Sequence, residues 1–349
     1  MPTPVGLVSL ETASPPFELD QDEVRETVLA HFGARVPMVE RLASVFTNAG
    51  IRTRQAVRPI SWYLEPRDLP ARSKVYLDSA LDLFVDAANK ALASAGLTGA
   101  DVDLVVTAST TGVATPSLEA RAMERVGFRP DTARVPLFGV GCAGGATGLA
   151  LAARLAAAQP GSTVLFVTVE LCTLAFRNQD VSATDVVATA LFGDGAAACV
   201  LQAGAKGFAE VVSYAEHTWP ETLDVMGWKM DAEGLGVVLK SDLPPFVQKH
   251  LRPAMDAMLA AQGLAIGEVD RFICHPGGAK IIEALESALD LGQGALDVER
   301  EVLAAHGNMS APTVLFILDR LRRRGMPKQS VLTAMGPGFT ASTVTLRAA

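Results

Sequence analysis

The sequence predicts an α/β protein built from two similar halves. Three observations carry that reading: strand-like apolar runs alternate with Ala/Leu-rich helical stretches, the chain matches itself at a fixed offset, and glycines break its longest uncharged run. The 349 residues, 49% apolar and 19% charged, supply a large core and suggest about two domains. Thirty Lys and Arg against thirty-eight Asp and Glu leave a net charge of −8, so no basic field is present to recruit nucleic acid or an anionic membrane.

Taken in order, strands are expected at 103–109, 134–140, 162–170, 196–201, 270–275, 330–335 and 342–346, where β-branched and apolar residues cluster between turn signals. The stretch Val135 to Ala153 has no charged side chain and is long enough to raise the question of a membrane span. Pro136 and the glycines at 139, 141, 144, 145 and 148 divide it instead into a buried strand, a tight turn and a buried helix. Met1 to Leu10 does not resemble a secretory signal, and a cytoplasmic location is expected. Cys142, Cys172, Cys199 and Cys274 form no CxxC pair and no zinc-type grouping, so they are expected to be thiols and no metal site is expected.

At an offset of 167, residues 92–106 lie over 259–273, pairing Gly96 with Gly263, Leu97 with Leu264 and Asp103 with Asp270; the same register later pairs Pro160 with Pro327 and Leu165 with Leu332. Beyond that point GDGAAACVL (193–201) matches GFTASTVTL (338–346) at an offset of 145. The first copy therefore carries 22 additional residues around Leu171 to Phe192, where a duplicated scaffold can acquire a pocket of its own. A site between the halves would draw residues from both.

Cys142 lies where an apolar strand gives way through glycines to a small-residue helix, a position whose backbone N–H groups and helix dipole are expected to lower the thiol pKa. His275 ends a strand and is followed by Pro276, Gly277 and Gly278, which keep its surroundings open. Asn308 precedes another apolar helix, where it could serve as an N-cap, but at the 167 offset it aligns with Gly141 beside Cys142. A thiol, an imidazole and a neutral amide suit thioester chemistry in which a carbon is the second nucleophile.

GCAGG with Cys142, ALFGDGAA (190–197), HPGG with His275, GNMS with Asn308 and MGPGFT (335–340) together resemble the type III polyketide synthases, the chalcone synthase-like family of the thiolase fold. The resemblance implies duplicated βαβαβ halves in a layered α-β-α-β-α arrangement with pseudo-twofold symmetry. Residues 1–205 would carry the nucleophilic cysteine, and 206–349 the histidine and asparagine. It implies a homodimer that loads an acyl-CoA starter on Cys142, extends it with malonyl-CoA by decarboxylative condensation and cyclises the product, with coenzyme A thioesters as substrates and no cofactor, metal or carrier protein. Phe192 corresponds to a gatekeeper between coenzyme A tunnel and cavity. Thr110, Thr111, Cys172, Ala175, Val237 and Ser310 fall where the family lines its cavity, Thr115 where a residue crosses the dimer, Glu170 at a buried glutamate, and Gly336, Pro337 and Gly338 at the loop shaping the cyclisation cavity. Val237 replaces a second gatekeeper phenylalanine. Of the family's phosphate-gripping cations only Arg41 is retained, with Arg52 and Arg54 as substitutes. The segment 226–239 looks like bacterial members making alkylresorcinols or alkylpyrones from fatty acyl starters.

Two other readings are weighed beside this one. A carrier-dependent initiating ketoacyl synthase also uses Cys, His and Asn, but HPGG after His275 and the late GPG loop argue against it; a degradative thiolase would bring a second cysteine after Cys274, and none follows. A non-catalytic acyl-CoA-binding subunit would keep the fold without needing all three reactive side chains.

Overall fold

Alternating burial along the apolar runs builds the core of this computed structural model, which describes residues 4–179 and 181–349. The N-terminal half runs β1 (Val5–Ala13), β2 (Phe17–Asp20), α1 (Gln21–Phe32), α2 (Pro37–Arg41), α3 (Ser44–Asn48), β3 (Thr53–Ala56), α4 (Ile60–Leu64), α5 (Leu69–Ser94), β4 (Leu104–Ala108), α6 (Leu118–Val126), β5 (Ala133–Leu137), α7 (Gly144–Ala158), β6 (Thr163–Leu171), α8 (Ala183–Leu191) and β7 (Asp194–Ala203). The C-terminal half runs β8 (Ala209–Thr218), β9 (Met226–Asp231), β10 (Gly234–Leu239), α9 (Leu243–Ala260), β11 (Arg271–Cys274), α10 (Ala279–Ala288), α11 (Asp297–His306), α12 (Ala311–Arg324), β12 (Gln329–Gly336) and β13 (Thr340–Ala348).

The duplication is visible in the strand order β11-β12-β13-β8-β1-β7-β6-β4-β5. β4 pairs parallel with β6 and β6 antiparallel with β7; in the second half β11 pairs parallel with β12 and β12 antiparallel with β13. A short antiparallel contact of Val5–Leu7 with Ala209–Val211 joins the two sets of strands edge to edge. β5 has no counterpart among the described residues of the second half, where α10 passes to α11 without a strand.

Strand alternation sorts side chains into layers. Leu165, Val167 and Val169 of β6 face the core beneath α5, while Val164 and Phe166 face the opposite side, against α7 and α12. That central pair of helices also covers Ile273, Leu332 and Val344 of the second half, whose Phe272, Cys274 and Val331 turn outward to α9 and α10. The result is the α-β-α-β-α layering. The two central helices begin almost in contact: a Cβ added to Gly145 would stand 2.4 Å from the Ala311 carbonyl oxygen, so only glycine permits the approach.

All seven expected strands are present, with ends shifted by up to three residues. β1, β8, the antiparallel pair β2–β3 and the hairpin β9–β10 are additional. The inserted stretch contributes the 3-10 turn Cys172–Ala175 and α8 between β6 and β7, whereas β12 and β13 join through a tight turn with Gly336 opposite Thr340. Among the described residues no helix is long and apolar enough to cross a membrane.

Candidate active site

Cys142 sits in the 3-10 turn Gly141–Ala143 that leads into α7. Gly141 has φ of +48°, and a Cβ there would stand 2.6 Å from Pro337 Cδ, so the Gly336–Gly338 turn packs directly behind the cysteine. A Cβ on Gly336 would in turn meet the Val140 carbonyl oxygen at 2.4 Å. In front, Ser310 Oγ donates to the Cys142 sulfur at 3.4 Å. Beneath the turn, the Gly141 amide donates to Thr110 Oγ1 at 3.1 Å, and Glu170 accepts from the amides of Thr110 and Thr111, each at 3.0 Å, and from Thr111 Oγ1 at 2.7 Å.

His275 follows β11, its amide fixed on the Thr333 carbonyl at 2.9 Å, and neither ring nitrogen has a partner among the described residues. Asn308 is tied on three sides. Its Nδ2 donates to the Gly277 carbonyl at 3.2 Å, and its Oδ1 accepts from Ser310 N at 2.8 Å, a pattern that fixes the amide orientation and leaves one N–H free. Its backbone bridges the α8–β7 connection, with Asn308 N donating to Leu191 O at 2.8 Å and Gly193 N to Asn308 O at 3.0 Å. The 308–310 segment thus reaches both the cysteine, through Ser310, and the histidine turn, through Gly277.

Cys142, His275 and Asn308, all buried, line one cavity of about 400 Å³ together with Phe192, Met335 and Phe339. Phe192 and Ala188 also line a second, apolar pocket of about 50 Å³ that includes Cys172 and Ala175. Ala175 and Thr111 line a third cavity of about 300 Å³. The apolar cluster of Ala175, Ala188 and Val237 with Phe192 and Trp228 packs where these three spaces meet. Thr110 and Glu170 lie buried beneath the cysteine turn, outside these linings, and Thr115 is exposed on the protomer surface.

Residues 7–205 match the family described as chalcone and stilbene synthases, N-terminal domain, and residues 210–349 match its C-terminal domain. The chain belongs to the chalcone and stilbene synthase family, the type III polyketide synthases. This synthase is 40% identical to 1,3,6,8-tetrahydroxynaphthalene synthase of Streptomyces peucetius subsp. caesius, over 98% of this chain and 93% of that one. It is 29% identical to an alpha-pyrone synthesis polyketide synthase-like protein of Mycobacterium tuberculosis, over 97% and 90%. The crystal structure of the tetrahydroxynaphthalene synthase from Streptomyces coelicolor A3(2) superposes with a TM-score of 0.93 at 27% identity, covering 98% of this chain and 99% of that one.

In this synthase the charge state of the site differs from the expectation of a lowered thiol pKa. Burial pushes Cys142 up to about 11, outweighing the Ser310 hydrogen bond, and pushes His275 down to about 4. Burial likewise raises Glu170 to about 7 despite its hydrogen bonds. A lone thiolate and a lone imidazolium are both disfavoured, whereas the same low dielectric strengthens attraction when both charges appear together.

Arg54 is no solvated phosphate ligand. It is 2% exposed on β3, donating through Nη1 to Thr189 O at 2.5 Å and Phe192 O at 3.1 Å. Arg41 stands exposed on α2, outside the cavity lining, while the neighbouring α3 contributes Ser44 and Asn48 to it. The cations that line the cavity are Lys240 and Lys280, which the sequence reading passed over because neither belongs to a motif. It also passed over Trp228. This residue faces Val237 across the β9–β10 hairpin, and its ring lies 6.1 Å from that of Phe192, so an aromatic wall is present although position 237 is valine.

Proposed function

We propose that this synthase loads an acyl group on Cys142, extends it with malonyl-CoA using His275 and Asn308, and folds the chain into the spaces beyond Phe192 before cyclisation. The observation that carries this is the single 400 Å³ cavity lined by all three polar groups and by Phe192. The Cys142 proton passes to His275 as the sulfur attacks the acyl-CoA carbonyl; the tetrahedral intermediate expels coenzyme A thiolate, which takes that proton from the imidazolium. Malonyl-CoA then loses carbon dioxide, and the C–C bonding pair becomes an enolate whose oxygen meets His275 Nε2–H and the free Asn308 N–H. The low His275 pKa suits this step, since a neutral ring keeps its N–H donor without carrying charge. The enolate carbon attacks the Cys142 thioester, and the sulfur leaves as thiolate.

Lys240 and Lys280 are the groups within the cavity suited to the coenzyme A phosphates, with Arg41 meeting the tail outside it. We read the protein as a homodimer: Val113, two residues before Thr115, and Phe138 are 58% and 60% exposed, apolar surface suited to a second copy, and gel filtration tests this.

The apolar character of the small pocket behind Phe192, lined by Val24, Val28, Ile60 and Leu64, favours an alkyl over a polar starter and hence an alkylpyrone or alkylresorcinol product. A malonyl-only route is the second reading, favoured by the 40% identity to a tetrahydroxynaphthalene synthase. Incubation with malonyl-CoA alone and with a series of fatty acyl-CoA starters, followed by product mass, separates them. Products whose mass tracks the added acyl chain support the first, and one product indifferent to it overturns it. Absence of any acyl adduct on Cys142 would sink the enzymatic reading altogether.

A further inference from the structure

The strand β3 lies between the two segments that bring Phe192 and Asn308 into the cavity. Alternate residues of a strand point to opposite sides, and β3 uses both. On one side Thr53 Oγ1 donates to Ala305 O at 3.0 Å, Gln55 Oε1 pairs with His306 Nδ1 at 2.6 Å, and the preceding Arg52 amide donates to Ala304 O at 2.8 Å, which holds the end of α11 just before Asn308. On the other side the Arg54 guanidinium holds the carbonyls of Thr189 and Phe192 at the end of α8.

The crossing of these segments leaves no slack. A Cβ on Gly193 would stand 2.3 Å from His306 O and 3.3 Å from Arg54 Cβ, and one on Gly307 would stand 2.8 Å from Leu191 O and 3.5 Å from Arg54 Cβ. Arg54 is therefore wedged into the angle where the 191–193 and 306–308 segments exchange backbone hydrogen bonds. A fully desolvated guanidinium is costly, and here burial is opposed by the charge of nearby Asp194, itself held by Val57 N at 2.9 Å and Thr173 Oγ1 at 2.6 Å. An apolar side chain could fill the same volume without that cost, but it could not hold two carbonyls.

We propose that Arg54 is a positioning residue that sets the Phe192 gate and the Asn308 amide as one unit, so that chain accommodation and malonyl decarboxylation are coupled through it. The inference rests on the roles given above to Phe192 and Asn308. Arg54 borders the apolar pocket behind Phe192 but not the cavity that holds Cys142, His275 and Asn308, and it acts on the reacting groups through the backbone of Phe192 and of the 306–308 segment.

The test compares Arg54→Lys and Arg54→Met with the unaltered enzyme. Three readouts are taken on the same folded sample: Cys142 acylation by acyl-CoA, malonyl-CoA decarboxylation, and the mass distribution of released products. Acylation is expected to stay within about threefold, while decarboxylation falls by about tenfold or more and prematurely released short products increase, because a displacement of under an ångström at Asn308 is felt in the transition state. Parallel loss of acylation and decarboxylation with an unchanged product distribution would overturn the proposal and leave Arg54 a packing residue. Should Arg54→Met fail to fold, Arg54→Lys decides alone, since lysine keeps the charge but its shorter side chain cannot bring a nitrogen to where Nη1 meets both carbonyls; wild-type behaviour in all three readouts overturns the proposal. Asn308→Ala is run alongside: normal decarboxylation there refutes the role of Asn308 itself, independently of Arg54.

Discussion

The Ser310 hydroxyl donates to the Cys142 sulfur across 3.4 Å, from a residue held at φ of +57°. A non-glycine residue in that region is strained, and here the surroundings impose it: Ser310 N is bound to Asn308 Oδ1, and Thr313 N to Ser310 O at 3.1 Å. The strain delivers the one side-chain donor that offsets burial of the thiol, since this hydrogen bond lowers the Cys142 pKa while desolvation raises it.

Ser310→Ala should therefore slow Cys142 acylation by about tenfold, the worth of one donor to a charged sulfur. Mass spectrometry of the acyl adduct against time measures it. An unchanged rate would show that the hydroxyl contributes nothing to the nucleophile.

His275→Gln should leave Cys142 with the penalty of burial and no partner for its charge. Iodoacetamide alkylation at neutral pH is expected to fall on the order of 10²-fold, as for loss of a general base. Alkylation at the wild-type rate would mean that the sulfur is activated by something else.

The same histidine predicts the direction of acid sensitivity. Its folded pKa of about 4 lies below the ordinary 6.5, so the unfolded chain binds more protons between those values, and the stability present above pH 6.5 is lost as pH falls toward 4. His306 is lowered in the same sense, first by burial and then by Arg320. Melting temperature followed from pH 7 to 4 should drop less steeply in His275→Gln than in the parent; equal slopes would contradict a neutral buried ring.

Asn308→Ala should acylate Cys142 normally and decarboxylate malonyl-CoA about 10²-fold more slowly, because only the enolate uses the free amide N–H. Release of carbon dioxide from malonyl-CoA reads this directly.

Trp228→Ala should remove the aromatic wall beside Phe192 and join the 300 Å³ space to the catalytic cavity. Longer products are expected at an unchanged Cys142 acylation rate. A product of the same length would place the length-determining wall elsewhere.

Much of the fold was legible because its signals are local or repeated. Buried parallel strands such as β6 read as continuous apolar runs, and duplication repeated β4 and β6 as β11 and β12. β1 and β8 escaped because VGLVSLETA and AEVVSYAEHT mix polar residues into strands that are defined by pairing across the seam rather than by their own pattern. The cysteine, histidine and asparagine stood out through the turns that hold them. Arg54 did not: its distinction is burial between segments more than a hundred residues away along the chain, and the second of the two arginines in GIRTRQ looks the same whether solvated or enclosed. The cations of the cavity mouth were hidden for the opposite reason, since Lys240 and Lys280 are ordinary surface residues made significant only by what they border.

The insert between β6 and β7 has no twin between β12 and β13, and that asymmetry gives the protein a polarity its ancestor's twofold plan would lack. One side of the nucleophile closes against a glycine-proline turn, while the other leads past Phe192 to a pocket walled by residues of the first half alone. A growing product is thus steered away from that turn, and later sequence change in the pocket can alter what is made while the machinery that joins carbon to carbon stays as it is.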